Sequence, residues 1–281
     1  MPEKKYLFFS SKKQLYLSLF ILSIISGLYA YGTAQNWFSN QNGSDLKKTA
    51  KLSALVLDRQ FITLKDLSSI FADKIVFSRL VKEGRWEEAM ASANALTAIG
   101  TDNFVRKVSL LSTDGVVKAE STGIGGSLVG RDSSSRDYFK GASSDLEPYV
   151  SEVYRMIRPP QDKVFSISVP IEDTVFDNVP PIGILNMAID VNSFMRWLDE
   201  IAPKGETSVY VVDQYGKLVA HSRTPGLWDI LDYSGVPAVQ MVMKGNAGSE
   251  TYTDPIDGKR KFVAWEPVPT SNWGVVVERL K

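Results

Sequence analysis

Two stretches of this sequence repeat one pattern: VSLLSTDGVVKAES at residues 108–121 and VYVVDQYGKLVAHS at residues 209–222. In each stretch, apolar residues flank a turn that ends in a glycine, which predicts a β-hairpin. Three further pairs of segments follow in the same order: YFKGA with MVMKGNA (138–142, 241–247), VFSISVPI with KFVAWEPV (164–171, 261–268), and IGILNMAID with NWGVVVERL (182–190, 272–280). Agreement across several elements in order predicts two α/β modules in tandem.

Both modules consist of short β-rich runs bounded by Gly, Pro, Asp and Asn. The first has predicted strands at 107–111, 116–120, 149–156, 164–170 and 182–189, with a helix over 134–142. The second has predicted strands at 208–212, 217–221, 250–253, 261–267 and 273–278, with a helix over 237–244. A helix over 191–201 connects the modules. The predicted fold class is α+β, with one antiparallel sheet in each module.

A long helix is predicted before the first module. Residues 46–80 contain no Gly or Pro, and Gly84 separates them from a second, Ala-rich helix over 85–99. Apolar and small residues recur at steps of four and three, which indicates a heptad-like stripe. We expect this stripe to contribute to a parallel homodimer; the alternative is that it packs on the chain's own domain. The stripe consists of Leu57, Phe61, Leu64, Ser68, Phe71, Ile75 and Ser78.

The N-terminus has the pattern of a membrane anchor. Residues 15–34 are uncharged and mostly apolar, and four lysines precede them at positions 4, 5, 12 and 13. A run of this length can cross a bilayer once as a helix, and the lysines favour a cytoplasmic N-terminus. We therefore expect a cytoplasmic stub at 1–14, an anchor at 15–34 and an extracytoplasmic main domain. The alternative is a signal peptide that is cleaved before Gln35.

Composition excludes several classes of protein. The 281 residues include 32 Lys+Arg and 32 Asp+Glu, so the formal net charge is zero, which argues against a nucleic-acid partner. The absence of cysteine excludes disulfides, thiol nucleophiles and Cys-ligated metals. The single histidine, His221, leaves no Ser-His-Asp arrangement and no His-rich metal site. No cofactor or metal is predicted.

Six segments together carry a resemblance to a known family: SSSRDYFKGA (133–142), PYVSEVY (148–154), VFSISVPI, GILNMAID (183–190), VVDQYGKLVAHS (211–222) and NWGVVVE (272–278). This order of elements resembles the double-Cache sensor domain of bacterial chemoreceptors, sensor histidine kinases and diguanylate cyclases. The resemblance covers nearly everything from the anchor to Lys281. It implies two PAS-like modules that pack on a long helix extending from the membrane, on the periplasmic side of the bacterial inner membrane.

The resemblance also implies an organisation of the chain and a place for a ligand. The helical part would cover 44–99, the membrane-distal module 100–190, the connecting helix 191–206 and the membrane-proximal module 207–281. Domains of this family commonly bind a small metabolite in the membrane-distal module. The protein would then be a single-pass membrane sensor that binds an amino acid, an amine or an organic acid for transmembrane signal transduction.

Residues are carried over from the amino-acid-binding members one position at a time. Arg136 matches their Arg, Tyr149 their later Tyr and Asp190 their late Asp, whereas Arg131, Tyr138 and Phe139 stand where those members have Tyr, Trp and Tyr. An Arg can hold a carboxylate through two N–H···O bonds, and an Asp can hold an ammonium group. The alternative for Arg136 is a structural role, in which it pairs with Asp132, Asp137 or a backbone carbonyl. The predicted ligand-binding residues are Arg136, Tyr138, Phe139, Tyr149, Tyr154, Asp190 and Arg131.

Two other functions remain open, and so does the output of a sensor. An extracytoplasmic hydrolase would need a nucleophile with a base, and the sequence has no G-x-S-x-G motif, so the prediction is a non-enzyme. An assembly protein would use both modules only for contacts. A sensor ending at Lys281 would be either the sensory part of a longer receptor or a protein that signals through a membrane partner.

Overall fold

The computed structural model describes residues 44–98, 104–122, 126–173, 180–196, 198, 207–224 and 226–281. The predicted stub and anchor lie outside these residues, as do residues 197 and 199–201 of the connecting helix predicted at 191–201. Residues from Leu46 to Lys281 form one compact unit. None of the helices in the described ranges is both long and apolar enough to span a bilayer.

The N-terminal part is a long helix followed by two short ones. Helix α1 covers residues 44–72, α2 covers Ile75–Lys82, and α3 covers Trp86–Ala93 before a 3₁₀ turn at Asn94–Ala98. The predicted helix over 46–80 is thus broken at Lys74, whose backbone is extended. The break redirects α2 so that Phe77 reaches the core, where its ring meets Phe71 at 5.7 Å.

The stripe on α1 that was predicted to pair two copies is largely core. Leu57, Phe61, Leu64 and Ser68 are buried within the chain, with Phe61 fully inaccessible. The Phe61 ring lies 5.0 Å from that of Trp273, on the last strand. The stripe therefore packs mainly on the chain's own domain, apart from Ile75, which lies on α2 and is exposed. Large apolar residues on α1 that stay exposed are Leu52, Leu55, Val56, Leu67 and Ile70.

The first module is an antiparallel sheet with one covering helix. Its strands are β1 Val105–Leu111, β2 Val117–Glu120, β3 Tyr149–Val150, β4 Tyr154–Arg155, β5 Lys163–Ile171 and β6 Gly183–Asp190, and helix α4 covers Asp137–Asp145. The strand order is β2-β1-β6-β5-β3, with β4 also paired to β5. The strand predicted over 149–156 is therefore two short pieces, because the intervening Glu152 and Val153 amides bond to carboxylates outside the sheet.

The second module has the equivalent strand order. Its strands are β7 Thr207–Val212, β8 Leu218–His221, β9 Gly248–Thr253, β10 Arg260–Val268 and β11 Trp273–Leu280, in the order β8-β7-β11-β10-β9, and α6 covers Pro237–Met243. A short helix, α5 at Val191–Phe194, follows β6. Asp132 and Asp232 each form an isolated bridge to the hairpin of their module. This alignment matches Tyr138 to Ala238, so the predicted match of 138–142 with 241–247 is displaced along the helix.

Both hairpins turn on a glycine with positive φ, 85° at Gly115 and 77° at Gly216. A Cβ on Gly115 would lie 2.7 Å from the Ser134 backbone, and one on Gly216 would lie 2.9 Å from that of Ser234. Only glycine allows both the left-handed backbone and this close approach. The turns therefore hold the segment that leads into α4 or α6 against the hairpin.

One apolar core joins α1 to both sheets. It contains Phe61 from α1, Phe165 from β5, Phe194 from α5 and Trp273 from β11. Phe165 and Trp273 meet across the modules at 5.2 Å. The opposite face of each sheet is covered by its own helix, α4 or α6, and these two covered faces differ in chemistry.

Candidate functional site

A row of short polar side chains crosses the first sheet on the side of α4. Ser109, Asn186 and Ser168 lie opposite one another on β1, β6 and β5, with Glu120 and Tyr149 at the two ends of the row. The three central residues are buried, and Ser168 Oγ donates to Asn186 Oδ1 at 2.7 Å. Buried polar groups are costly unless they find partners, so this row is suited to a polar ligand.

The same register in the second sheet is occupied by large or apolar side chains. Tyr210, Val276 and Trp265 lie opposite one another on β7, β11 and β10, and all three belong to the core under α6. Side chains at these positions fill the space between sheet and helix. The first module has serine and asparagine there, which are more polar than these residues and smaller than tyrosine and tryptophan.

Arg136 lies at the N-cap position of α4, the helix that covers this face of the sheet. Its guanidinium stacks on the ring of Tyr154 at 4.7 Å and is 5.7 Å from the ring of Tyr138. Within the part of the chain that the structure describes, no carboxylate forms an ion pair with it. The predicted alternative, a pair with a neighbouring Asp, is therefore not formed. The equivalent N-cap residue of α6 is Val236.

Tyr154 and Tyr138 complete the aromatic side of this arrangement. Their rings are 5.7 Å apart, and the Tyr154 hydroxyl forms a 2.7 Å hydrogen bond with Ser166 Oγ of β5. Burial raises the pKa of Tyr154, so its hydroxyl stays protonated and can either donate or accept. Arg136, Tyr138, Tyr154 and Ser166 are thus brought together by α4, β4 and β5.

The other four residues predicted for the site differ in where they lie. Phe139 packs in the same apolar cluster as Tyr138, and Tyr149 and Tyr154 pack against this cluster. Tyr149 also donates to the Asp137 carboxylate at 3.2 Å, and Arg131 is exposed. Asp190 pairs with Arg106 at 3.3 Å and caps α5 by accepting from Ser193 N. Asp190 and Tyr154 face Val164 from opposite sides, so they are two strands, or about 10 Å, apart.

The sequence-based prediction missed the polar row. Ser166 and Ser168 alternate with apolar residues in VFSISVPI, whereas the matching KFVAWEPV has Val263 and Trp265. Comparison of the two repeats at these positions was the signal that could have found them. The prediction also missed a buried ion pair at one end of the row, Lys107 with Glu120 at 3.6 Å. Glu120 Oε1 is buried and accepts no hydrogen bond from the residues that the structure describes.

Residues 32–280 match the family described as the Cache domain. The chain belongs to the Cache domain family. No curated protein sequence matches it.

Solved structures share the fold of this Cache domain. The methyl-accepting chemotaxis protein X is 16% identical with a TM-score of 0.65, over 86% of this chain and 98% of that one. The ligand-binding domain of the Pseudomonas fluorescens chemoreceptor CtaA, in complex with L-isoleucine, is 16% identical with a TM-score of 0.56, over 86% and 92%. An extracellular ligand-binding receptor from Desulfohalobium retbaense is 13% identical with a TM-score of 0.62, and the match spans 84% of this chain but 40% of that one.

The second module has a polar cavity of about 170 Å³ at the end of its sheet, lined among others by His221, Tyr233 and Lys261. Its buried charges are already paired: Lys261 Nζ lies 2.6 Å from Asp254 and 2.9 Å from Glu278. An ammonium group thus occupies the centre of the carboxylates. In the described ranges, no group of three His, Asp or Glu is arranged to hold a metal ion.

Proposed function

We propose that this Cache domain is the extracytoplasmic part of a membrane-anchored sensor, and that it binds a small polar metabolite in its first module for transmembrane signalling. The observation that carries the proposal is Arg136, a cation without a carboxylate partner in the described chain. It lies over Tyr154, whose hydroxyl bonds to Ser166, and Ser166 lies two residues before the buried Ser168 of the polar row. The family is a sensory ligand-binding one, which supports a binding rather than a catalytic role.

The residues at the site favour a ligand with a carboxylate. Arg136 can present two parallel N–H groups to the carboxylate, and the rings of Tyr154 and Tyr138 lie against its guanidinium group. The remainder of the ligand would lie on Ser166, Ser168 and Asn186. An amino group would compete with Arg106 for Asp190, which lies two strands from Tyr154. Amino acids and organic acids are therefore the first classes to test, and the L-isoleucine bound to CtaA supports the former.

Calorimetry on the full chain in detergent tests the site against twenty L-amino acids, small amines and dicarboxylates. Where a panel member binds, Arg136→Ala should weaken it by one to two orders of magnitude, because a hydrogen bond to a charged group contributes roughly 1.5–3 kcal/mol. The matched control is Arg131→Ala, since Arg131 is an exposed arginine five positions earlier. Equal affinity for wild type and Arg136→Ala would contradict the clamp.

The membrane arrangement is part of the proposal. The lysines and the apolar run at 15–34 support a cytoplasmic N-terminus. Membership of the Cache family supports a first module distal to the inner membrane and a second module proximal to it. Protease added to spheroplasts should digest the domain and leave the N-terminal stub. Full protection of the domain in intact spheroplasts would contradict this topology.

A homodimer through α1 is also proposed, now through the face that the core leaves free. Leu52, Leu55, Val56 and Ile70 are exposed on α1, and anchors side by side in one membrane would raise the effective concentration of two such helices. A membrane signalling partner or a further output domain would receive the signal.

A further inference from the structure

The segment between α4 and β5 contacts both modules through alternate residues. Tyr154 faces Arg136 in the first module. Its two neighbours bind the second module: Val153 N donates to Asp213 at 3.0 Å, and Arg155 Nη2 donates to the Trp228 carbonyl at 2.7 Å. The residues before and after Tyr154, whose ring is the nearest to Arg136, are therefore both hydrogen-bonded to the second module.

Asp137, the chain neighbour of Arg136, forms the second connection. Its carboxylate accepts from the Tyr215 hydroxyl at 2.9 Å and from Gln214 Nε2 at 3.3 Å, both in the turn between β7 and β8. It also accepts from Glu152 N at 2.8 Å. One carboxylate thus joins the start of α4, the segment that carries Tyr154 and the hairpin turn of the second module.

The hydrogen bonds continue from this turn to the core. Gln214 Oε1 accepts from Trp273 Nε1 at 2.9 Å, and the Trp273 ring contacts Phe61 of α1 at 5.0 Å. A connected set of polar and ring contacts therefore runs from the neighbour of Arg136 to the helix that leads toward the N-terminus.

We propose that Asp137 is a positioning residue that couples the Arg136–Tyr154 site to the β7–β8 turn at residues 213–217. Arg136 is next to Asp137 in the chain, and Tyr154 lies between Val153 and Arg155. All three of these neighbours are hydrogen-bonded to the second module. A shift of Arg136 or Tyr154 toward a ligand moves those groups and changes the placement of the turn. The role of the ligand rests on the proposed function, whereas the coupling is present without it.

Hydrogen–deuterium exchange on the ligand-free full chain tests the coupling from its far end. Tyr215→Phe removes one hydroxyl in the second module, and it should raise amide exchange at 137–141 and 149–155 in the first module about fivefold, the effect of one ordinary hydrogen bond. Tyr233→Phe is the matched control, because among the described residues its hydroxyl bonds to nothing in the first module. Faster exchange confined to 213–217 would overturn the proposal.

A second measurement separates positioning from simple loss of structure. The sequence has six Trp, so the indole N–H signal of Trp273 can be assigned by its absence in Trp273→Phe. Asp137→Asn should shift that signal. The double variant Asp137→Asn with Gln214→Glu exchanges the carboxylate and the amide of this hydrogen-bonded pair. It should bring the signal and the exchange rates back toward wild type. A Trp273 signal that does not respond to Asp137→Asn would contradict the coupling.

These outcomes are independent of the metabolite panel. A chain that binds no panel member but shows the exchange pattern would contradict the proposed function and keep the coupling. Conversely, the ligand affinity could depend on Arg136 while Tyr215→Phe leaves amide exchange in the first module unchanged. That result would support the proposed function and contradict the coupling.

Discussion

The single histidine shows how burial changes the chemistry of one residue. His221 stacks on Tyr210 with ring centroids 5.7 Å apart, and its Nδ1 accepts from Arg223 N at 3.1 Å. Burial, together with the nearby charges of Lys261 and Arg223, lowers the pKa of His221 to about 4. The imidazole is therefore neutral at physiological pH and packs as part of the second module.

This pKa predicts a pH dependence of stability. In the unfolded chain His221 titrates near 6.5, so between pH 6.5 and 4 the unfolded state binds more protons and the free energy of unfolding falls as the pH falls. His221→Asn keeps an acceptor for Arg223 N and should remove this component, which is at most about 1.4 kcal/mol per pH unit. Urea unfolding at pH 7, 6, 5 and 4 measures both proteins. Parallel curves across this range would contradict the lowered pKa.

At the scale of elements, α1 packs against both sheets and joins them in one core. Its inner side carries Leu57, Phe61 and Leu64 into the shared core, and its outer side exposes Leu52 and Ile70. A helix with apolar residues on both sides is typical of one that packs on its own domain and has a second apolar contact available. The two sides should respond differently to truncation.

Phe61→Ala should lower the free energy of unfolding by about 3–5 kcal/mol, because it leaves a cavity among Phe165, Phe194 and Trp273. Leu52→Ala is the matched control, since Leu52 is 62% exposed and its truncation should change stability by about 0.5 kcal/mol or less. Chemical unfolding measures both variants. Sedimentation of the full chain in detergent should show weaker self-association for Leu52→Ala but not for Phe61→Ala. Unchanged self-association of Leu52→Ala would contradict a dimer through this face of α1.

At the scale of the whole molecule, two copies of one architecture have different interiors. The first sheet presents Ser109, Asn186 and Ser168 to its helix, and the second presents Tyr210, Val276 and Trp265 at the same register. A filled interior stabilises a module, whereas a polar one leaves groups for a ligand. We therefore expect the second module to contribute more to stability and the first to binding.

Giving the first module a side chain of the second tests this division. Asn186→Val places the residue found at position 276 into the polar row, and it should weaken binding of any panel ligand tenfold or more. The melting temperature should fall by only a few degrees, because the buried Ser168 Oγ loses its acceptor. Calorimetry and thermal unfolding are the measurements. A control, Asn192→Val, changes an exposed asparagine just beyond β6. Undiminished affinity in Asn186→Val would place the ligand elsewhere.

The sequence by itself determined the repeated hairpins, the order of the strands along the chain and the family, because alternation and glycine turns are local signals. It also singled out Arg136, Tyr138 and Tyr154. Only the tertiary structure showed that Phe61 faces inward, that Tyr149 is bonded to Asp137, and that Ser109, Asn186 and Ser168 form one row. Those facts depend on strand register and on which face of a helix meets the core, and both are set by packing between residues far apart in the chain.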